Sequence, residues 1–141
     1  MKKILLIIIC FIVMFITGCT SSVIPKSEYL MNEVAEMDDL KIELKTAIWN
    51  ENQELELNFE IENNRKDTIT IVPDENFKLY DINKVQIPNT YTGNSIVIKK
   101  NEKRTITLNY NVSDKKLYEI YFYSGMVDNN IKFSIIDSDI N

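Results

Sequence analysis

The chain contains no histidine in its 141 residues. That removes Ser-His-Asp and Cys-His catalysis, the usual acid–base group at neutral pH, and most zinc and copper sites. Glycine occurs three times, at Gly18, Gly93 and Gly125, too sparsely for a phosphate-cradling loop or a dinucleotide fingerprint. The two cysteines, Cys10 and Cys19, both fall within the first twenty residues. No disulfide framework can therefore hold the rest of the chain, and its stability must come from packing. Arginine is nearly absent, two residues against fourteen lysines. The lysines are scattered among 21 carboxylates, which argues against a nucleic-acid partner, because phosphate binding needs clustered basic residues. No enzyme activity, cofactor or metal is expected. Asp137-Ser138-Asp139, and Asp81 with Asn83, set oxygen pairs at alternate positions but lack the rest of a calcium loop.

The strongest positive signal lies at the N-terminus. Lys2 and Lys3 precede thirteen uninterrupted apolar residues, from Ile4 to Ile16. A membrane span needs about 20 apolar residues, so this run stops short and reads as an export signal. The Ile16-Thr17-Gly18-Cys19 stretch that follows resembles the lipobox of bacterial lipoproteins. The resemblance implies cleavage between Gly18 and Cys19 and a diacylglyceryl group on Cys19. With two acyl chains, each contributing about 0.8 kcal/mol per buried methylene, the membrane becomes a permanent partner. Residues 1–18 are then a signal peptide and 19–38 a lipidated tether that opens with Thr20, Ser21 and Ser22 as a flexible lead. Ile, Lys and Asn supply 52 of the 141 residues, a bias of AT-rich genomes that points to a Gram-positive source. The expected location is the extracytoplasmic face of the cell membrane.

Within the tether, Leu30, Met31, Val34 and Met37 recur at helical spacing after Pro25 and Ser27. A short helix over 27–37 and a disordered lead are the two readings. From Asp39 the period changes to two. Leu40, Ile42, Leu44 and Ile48 share one parity, with Trp49 on the outward one. Leu55, Leu57, Phe59 and Ile61 then alternate with Glu54, Glu56, Asn58, Glu60 and Glu62. Leu and Glu favour helix, yet a helix would set residues 55 and 57 on nearly opposite faces, whereas a strand turns all four apolar side chains inward. Further strands are expected near 68–72, 77–80, 85–87, 95–98, 106–110, 118–123 and 131–136, separated by polar turns. The pattern predicts an all-β, immunoglobulin-like antiparallel β-sandwich of about eight strands over 39–141.

The alternating strand ending Phe59-Glu60-Ile61-Glu62-Asn63-Asn64, then Phe77-Lys78-Leu79-Tyr80-Asp81, then Lys99-Lys100-Asn101-Glu102-Lys103 entering Ile106 to Tyr110, resembles the DUF4352-type immunoglobulin-like domains. These are common in lipoproteins of Gram-positive bacteria. They often carry glycine in the hairpin after the aspartate and a Pro-Gly pair in the later turn; here Asn83-Lys84 and Lys100-Asn101 stand instead. The same features resemble the intracellular proteinase inhibitor domain, with which an export signal conflicts. Neither resemblance implies catalytic residues.

Exposed tyrosine offers large contact area at low entropy cost. Tyr121 and Tyr123, whose parity opposes Ile120 and Phe122, and Tyr91 in the polar loop from Pro88 to Asn94 are therefore the candidate recognition surface. Simple cross-strand cover of the sheet is the alternative for the two strand tyrosines. The chain thus reads as a non-enzymatic binding module for a protein or envelope ligand, with inhibition of a protease or other exported enzyme as the alternative.

Overall fold

The computed structural model describes residues 26–114, 116–125 and 129–141. The apolar leader, Gly18, Cys19 and the lead after it lie outside the described residues. Among the described residues eleven strands follow one another: β1 (Glu28–Tyr29), β2 (Val34–Met37), β3 (Leu40–Trp49), β4 (Glu54–Asn63), β5 (Ile69–Ile71), β6 (Phe77–Asp81), β7 (Gln86–Ile87), β8 (Ile96–Ile98), β9 (Lys103–Asn111), β10 (Tyr118–Tyr123) and β11 (Asn130–Ile135), with one helical turn, α1 (Pro73–Asn76), before β6 and a 3-10 turn (Asp137–Asp139) after β11. One sheet has the order β2-β3-β4-β9, the second β1-β11-β10-β6-β7, and β5 pairs with β8 in a small ribbon. Strands β3-β4-β9 and β11-β10-β6 correspond to the A-B-E and G-F-C strands of an immunoglobulin-like sandwich. Tyr118 marks that fold locally: its hydroxyl donates to the Asp114 carbonyl at 2.6 Å, as in the tyrosine corner that leads into strand F.

The alternation in β4 decides its face. Leu55, Leu57, Phe59 and Ile61 are fully buried, while the interleaved glutamates are half-exposed. Phe59 reaches across the sandwich to Phe77 (ring centroids 4.9 Å apart) and Phe133 (5.5 Å), and Phe77 meets Phe122 at 5.1 Å. This aromatic seam ties the two sheets together.

Two expectations are corrected. Residues 28–29 and 34–37 form strands, neither a helix nor a loose lead, so the sandwich begins ahead of Asp39. Ala35 pairs with Ile42 and Met37 with Leu40, and Glu28 with Lys132, so inward apolar positions and existing sheet edges capture the segment. The parity of β3 also fails at its end. A bulge between Leu44 and Thr46 inserts one residue and flips the faces. Ala47 is buried, Ile48 turns outward, and Trp49 packs against the core. The C-terminal residues use the same stretch: Ile140 bridges Ala47, and the Trp49 N–H donates to the Asn141 carbonyl at 2.9 Å.

With so few glycines, other residues take the left-handed turn positions. Asn101 (φ 58°) does so in the later turn, and in the β6–β7 hairpin it is Lys84 (φ 63°), not Asn83. Asp81 organises that hairpin by accepting backbone N–H bonds from Asn83 (2.9 Å) and Val85 (2.8 Å). Asn63 is fully buried at the end of β4 and satisfied on every side. Its amide donates to the carbonyls of Asp67 (2.8 Å) and Ile98 (3.0 Å), and its Oδ1 accepts from the Arg65 N–H (3.0 Å).

Candidate functional site

Strand β10 turns Tyr118, Ile120 and Phe122 into the core and Glu119, Tyr121 and Tyr123 outward. Neighbouring β6 does the same with Phe77 and Leu79 inside and Lys78 and Tyr80 outside. The register sets Glu119 opposite Tyr80 and Tyr121 opposite Lys78 on one side, and Tyr121 opposite Lys132 on the other. Three tyrosines therefore converge on the outer face of the five-stranded sheet. Tyr80 and Tyr121 meet edge to face, and Tyr121 stacks on Tyr123 with centroids 6.4 Å apart.

Charges frame the rings. Glu119 pairs with Lys84 and lies 3.5 Å from the Lys132 ammonium, which sits 3.2 Å from Glu28. The Ser134 hydroxyl donates to Glu28, and Tyr121 Oη donates to Glu119 at 3.2 Å. The Lys84 hydrogen bond, with Lys132 behind it, holds the Glu119 carboxyl below its usual range. Burial pushes both outward tyrosines up, assisted for Tyr121 by the Glu119 charge. At neutral pH Tyr121 and Tyr123 thus present neutral hydroxyl-bearing rings, bordered by lysine side chains and an ionised carboxylate. Such a surface can stack, hydrogen-bond and form ion pairs. A carboxylate held ionised by two lysines is a poor proton donor.

Of the tyrosines singled out in the sequence, Tyr121 and Tyr123 share this face and Tyr91 does not join them. The Tyr91 loop is tied to β9 of the other sheet, where the Thr90 N–H and hydroxyl donate to the Asn109 carbonyl at 2.8 and 3.0 Å. The Tyr91 hydroxyl donates to the Asn94 carbonyl, and it lies so close over Gly93 that a Cβ there would come within 2.2 Å of the hydroxyl oxygen. Tyr80 was missed as a site residue, although Phe77 and Leu79 fix its outward parity. The aspartates weighed as calcium ligands are engaged locally: Asp81 in its hairpin and Asp139 as acceptor of the Ile136 N–H. Among the described residues, no three His, Cys, Asp or Glu side chains cluster in a way that could hold a metal ion.

No family model matches the chain, and no curated protein matches it. Solved structures do. The chain is similar to yjhA of Bacillus subtilis at 12% identity and a TM-score of 0.61, covering 76% of this chain and 98% of that one. It is similar to ycdA of Bacillus subtilis, a candidate lipoprotein, at 15% identity and a TM-score of 0.62, covering 75% of this chain and 39% of that one. It is also similar to MPT63, a secreted protein of Mycobacterium tuberculosis, at 12% identity and a TM-score of 0.59, covering 82% and 99%. At these identities the likeness establishes the fold alone, a β-sandwich.

Proposed function

We propose that this chain is a lipid-anchored surface protein of a Gram-positive bacterium, cleaved after Gly18 and held through Cys19. Its immunoglobulin-like domain, of DUF4352 type, binds a protein or envelope ligand and is not an enzyme. The observation that carries the binding role is the convergence of the half-buried Tyr80, Tyr121 and Tyr123 on one outward sheet face, because tyrosine is enriched in binding hot spots. The fold likeness to a candidate lipoprotein and to a secreted protein supports the exported location.

Two experiments test the two halves separately. Cys19→Ala is expected to leave an unlipidated precursor, and normal maturation of that variant would refute the anchor. The soluble fragment from residue 20 onward, used as bait on host membranes, is expected to retain a partner that the Tyr80→Ala/Tyr121→Ala/Tyr123→Ala variant loses; equal recovery by both would count against the face. An inhibitor would more naturally use the braced Tyr91 loop, and Tyr91→Ala alone would then abolish binding.

A further inference from the structure

Four strands form the edges of the two main sheets, and they differ in length. β1 and β7 have two residues each and β2 has four, whereas β9 has nine. Short edges resist pairing with other chains; a long, regular edge invites it. β9 has no proline and pairs with β4 in unbroken register from Lys103 to Asn111. In an immunoglobulin-like sandwich the strand before E normally covers this edge. Here β8, which precedes β9, pairs with β5 instead, and among the described residues the Asn89–Thr90 loop alone bonds to the far end of β9, at Asn109 and Tyr110.

The open groups can be identified. The Asn109 carbonyl points away from β4, since it accepts from Thr90. Main-chain groups alternate sides along a strand, so the N–H and C=O of Thr107, Thr105 and Lys103 point the same way. Among the described residues no strand pairs with them. Thr105 and Thr107 are exposed, and the run Thr105-Ile106-Thr107 is β-branched throughout.

We infer that this edge pairs with the same edge of a second copy, antiparallel about Thr105, joining the two four-stranded sheets into one of eight strands. The register follows from the residues. Centring on Thr105 sets Thr105 against its own copy and Lys103 against the partner's Thr107, so all three open residues exchange both main-chain bonds. Centring on residue 104 would oppose two arginines directly, and centring on residue 106 would bring Lys103 against Asn109, whose carbonyl is already taken. In the chosen register the two Lys103 backbones lie about 14 Å apart, from four residues at about 3.3 Å each and one strand spacing, beyond the screening length of about 8 Å. Each Lys103 is also paired with its own Glu60, and each Arg104 with its own Glu102. Twofold pairing is the commonest form of self-association.

The test uses the full-length chain in its membrane, treated with diamide, with the native protein as background for Cys10 and Cys19. Thr105→Cys is expected to give a disulfide-linked dimer, because Cα atoms in such a pair lie about 5.5 Å apart. Thr107→Cys is expected to give about tenfold less, since the two copies of residue 107 are as far apart as the two lysines. Thr105→Pro removes an N–H that β4 does not use, so it leaves the fold in place; it is expected to shift the detergent-solubilised protein from dimer to monomer in sedimentation. A native chain that sediments as a monomer, or equal cross-linking at 105 and 107, overturns the inference.

Discussion

Tyr80 and Tyr121 meet edge to face, with ring centroids 5.5 Å apart and planes at 89°, although the residue directly opposite Tyr80 on β10 is Glu119. The contact is diagonal, between outward side chains of adjacent strands. Such aromatic pairs contribute about 0.5–1.5 kcal/mol beyond burial. A double-mutant cycle with Tyr80→Ala and Tyr121→Ala, read by urea unfolding, is expected to give a coupling of about 0.5–1 kcal/mol. A coupling near zero would mean that the rings are independent and the face is not pre-formed.

Asn63 joins the end of β4 to β8 and to the turn after β4 through three side-chain hydrogen bonds. Asn63→Leu nearly conserves volume but leaves two carbonyls and one N–H without their partner. At about 1–3 kcal/mol for each unsatisfied buried group, partly relieved by water, the loss should be about 2–4 kcal/mol. A lower urea midpoint at unchanged slope is the expected signature.

The Tyr110 hydroxyl is the counter-example: it is buried with no hydrogen-bond partner among the described residues. Tyr110→Phe removes a group that folding strips of water without compensation, so it should be neutral or stabilise by up to about 1 kcal/mol. A marked destabilisation in thermal unfolding would mean that the hydroxyl has a partner after all.

The pH dependence of stability should be flat through neutrality, because no histidine titrates there. It should break on the alkaline side. Burial pushes Tyr118 up to about 12 and pushes Tyr110 up as well. Below pH 10 a tyrosine is protonated in both folded and unfolded chains, and this contribution to stability is fully present. Between about pH 10 and 12 the unfolded chain ionises first, so stability falls as pH rises. Thermal unfolding from pH 7 to 12 is expected to show that decline, and Tyr118→Phe should reduce its slope.

What was legible in the sequence was local and periodic. The alternation from Leu55 to Ile61 settled β4 against the helical propensity of its leucines and glutamates. The aspartate and asparagine turns were placed because those side chains bond their own backbone. Features set by distant partners were not legible. Glu28 belongs to a strand because Lys132, more than a hundred residues along the chain, lies beside it. Leu30 and Val34 looked like one face of a helix, yet both are exposed, and Ala35, beneath Ile42, is the residue that is buried. The bulge after Leu44 reversed Ile48 and Trp49 without a glycine or proline to announce it. In the candidate site, Tyr121 and Tyr123 were read from parity alone. Tyr80 obeyed the same rule in β6, but only the pairing of β6 with β10 brings it to them, and only the pairing of the Tyr91 loop with β9 takes Tyr91 away.

The most direct test of the binding face is a photo-reactive phenylalanine analogue placed at Tyr121 in the living host. Irradiation is expected to give one discrete adduct with an envelope component, reduced about tenfold by Tyr80→Ala with Tyr123→Ala, the loss of about 1.4 kcal/mol of binding. The same analogue at Glu56, on the outer face of the opposite sheet, is expected to give no such adduct. Absence of an adduct at Tyr121, or the same products from both positions, would contradict a tyrosine-based recognition surface.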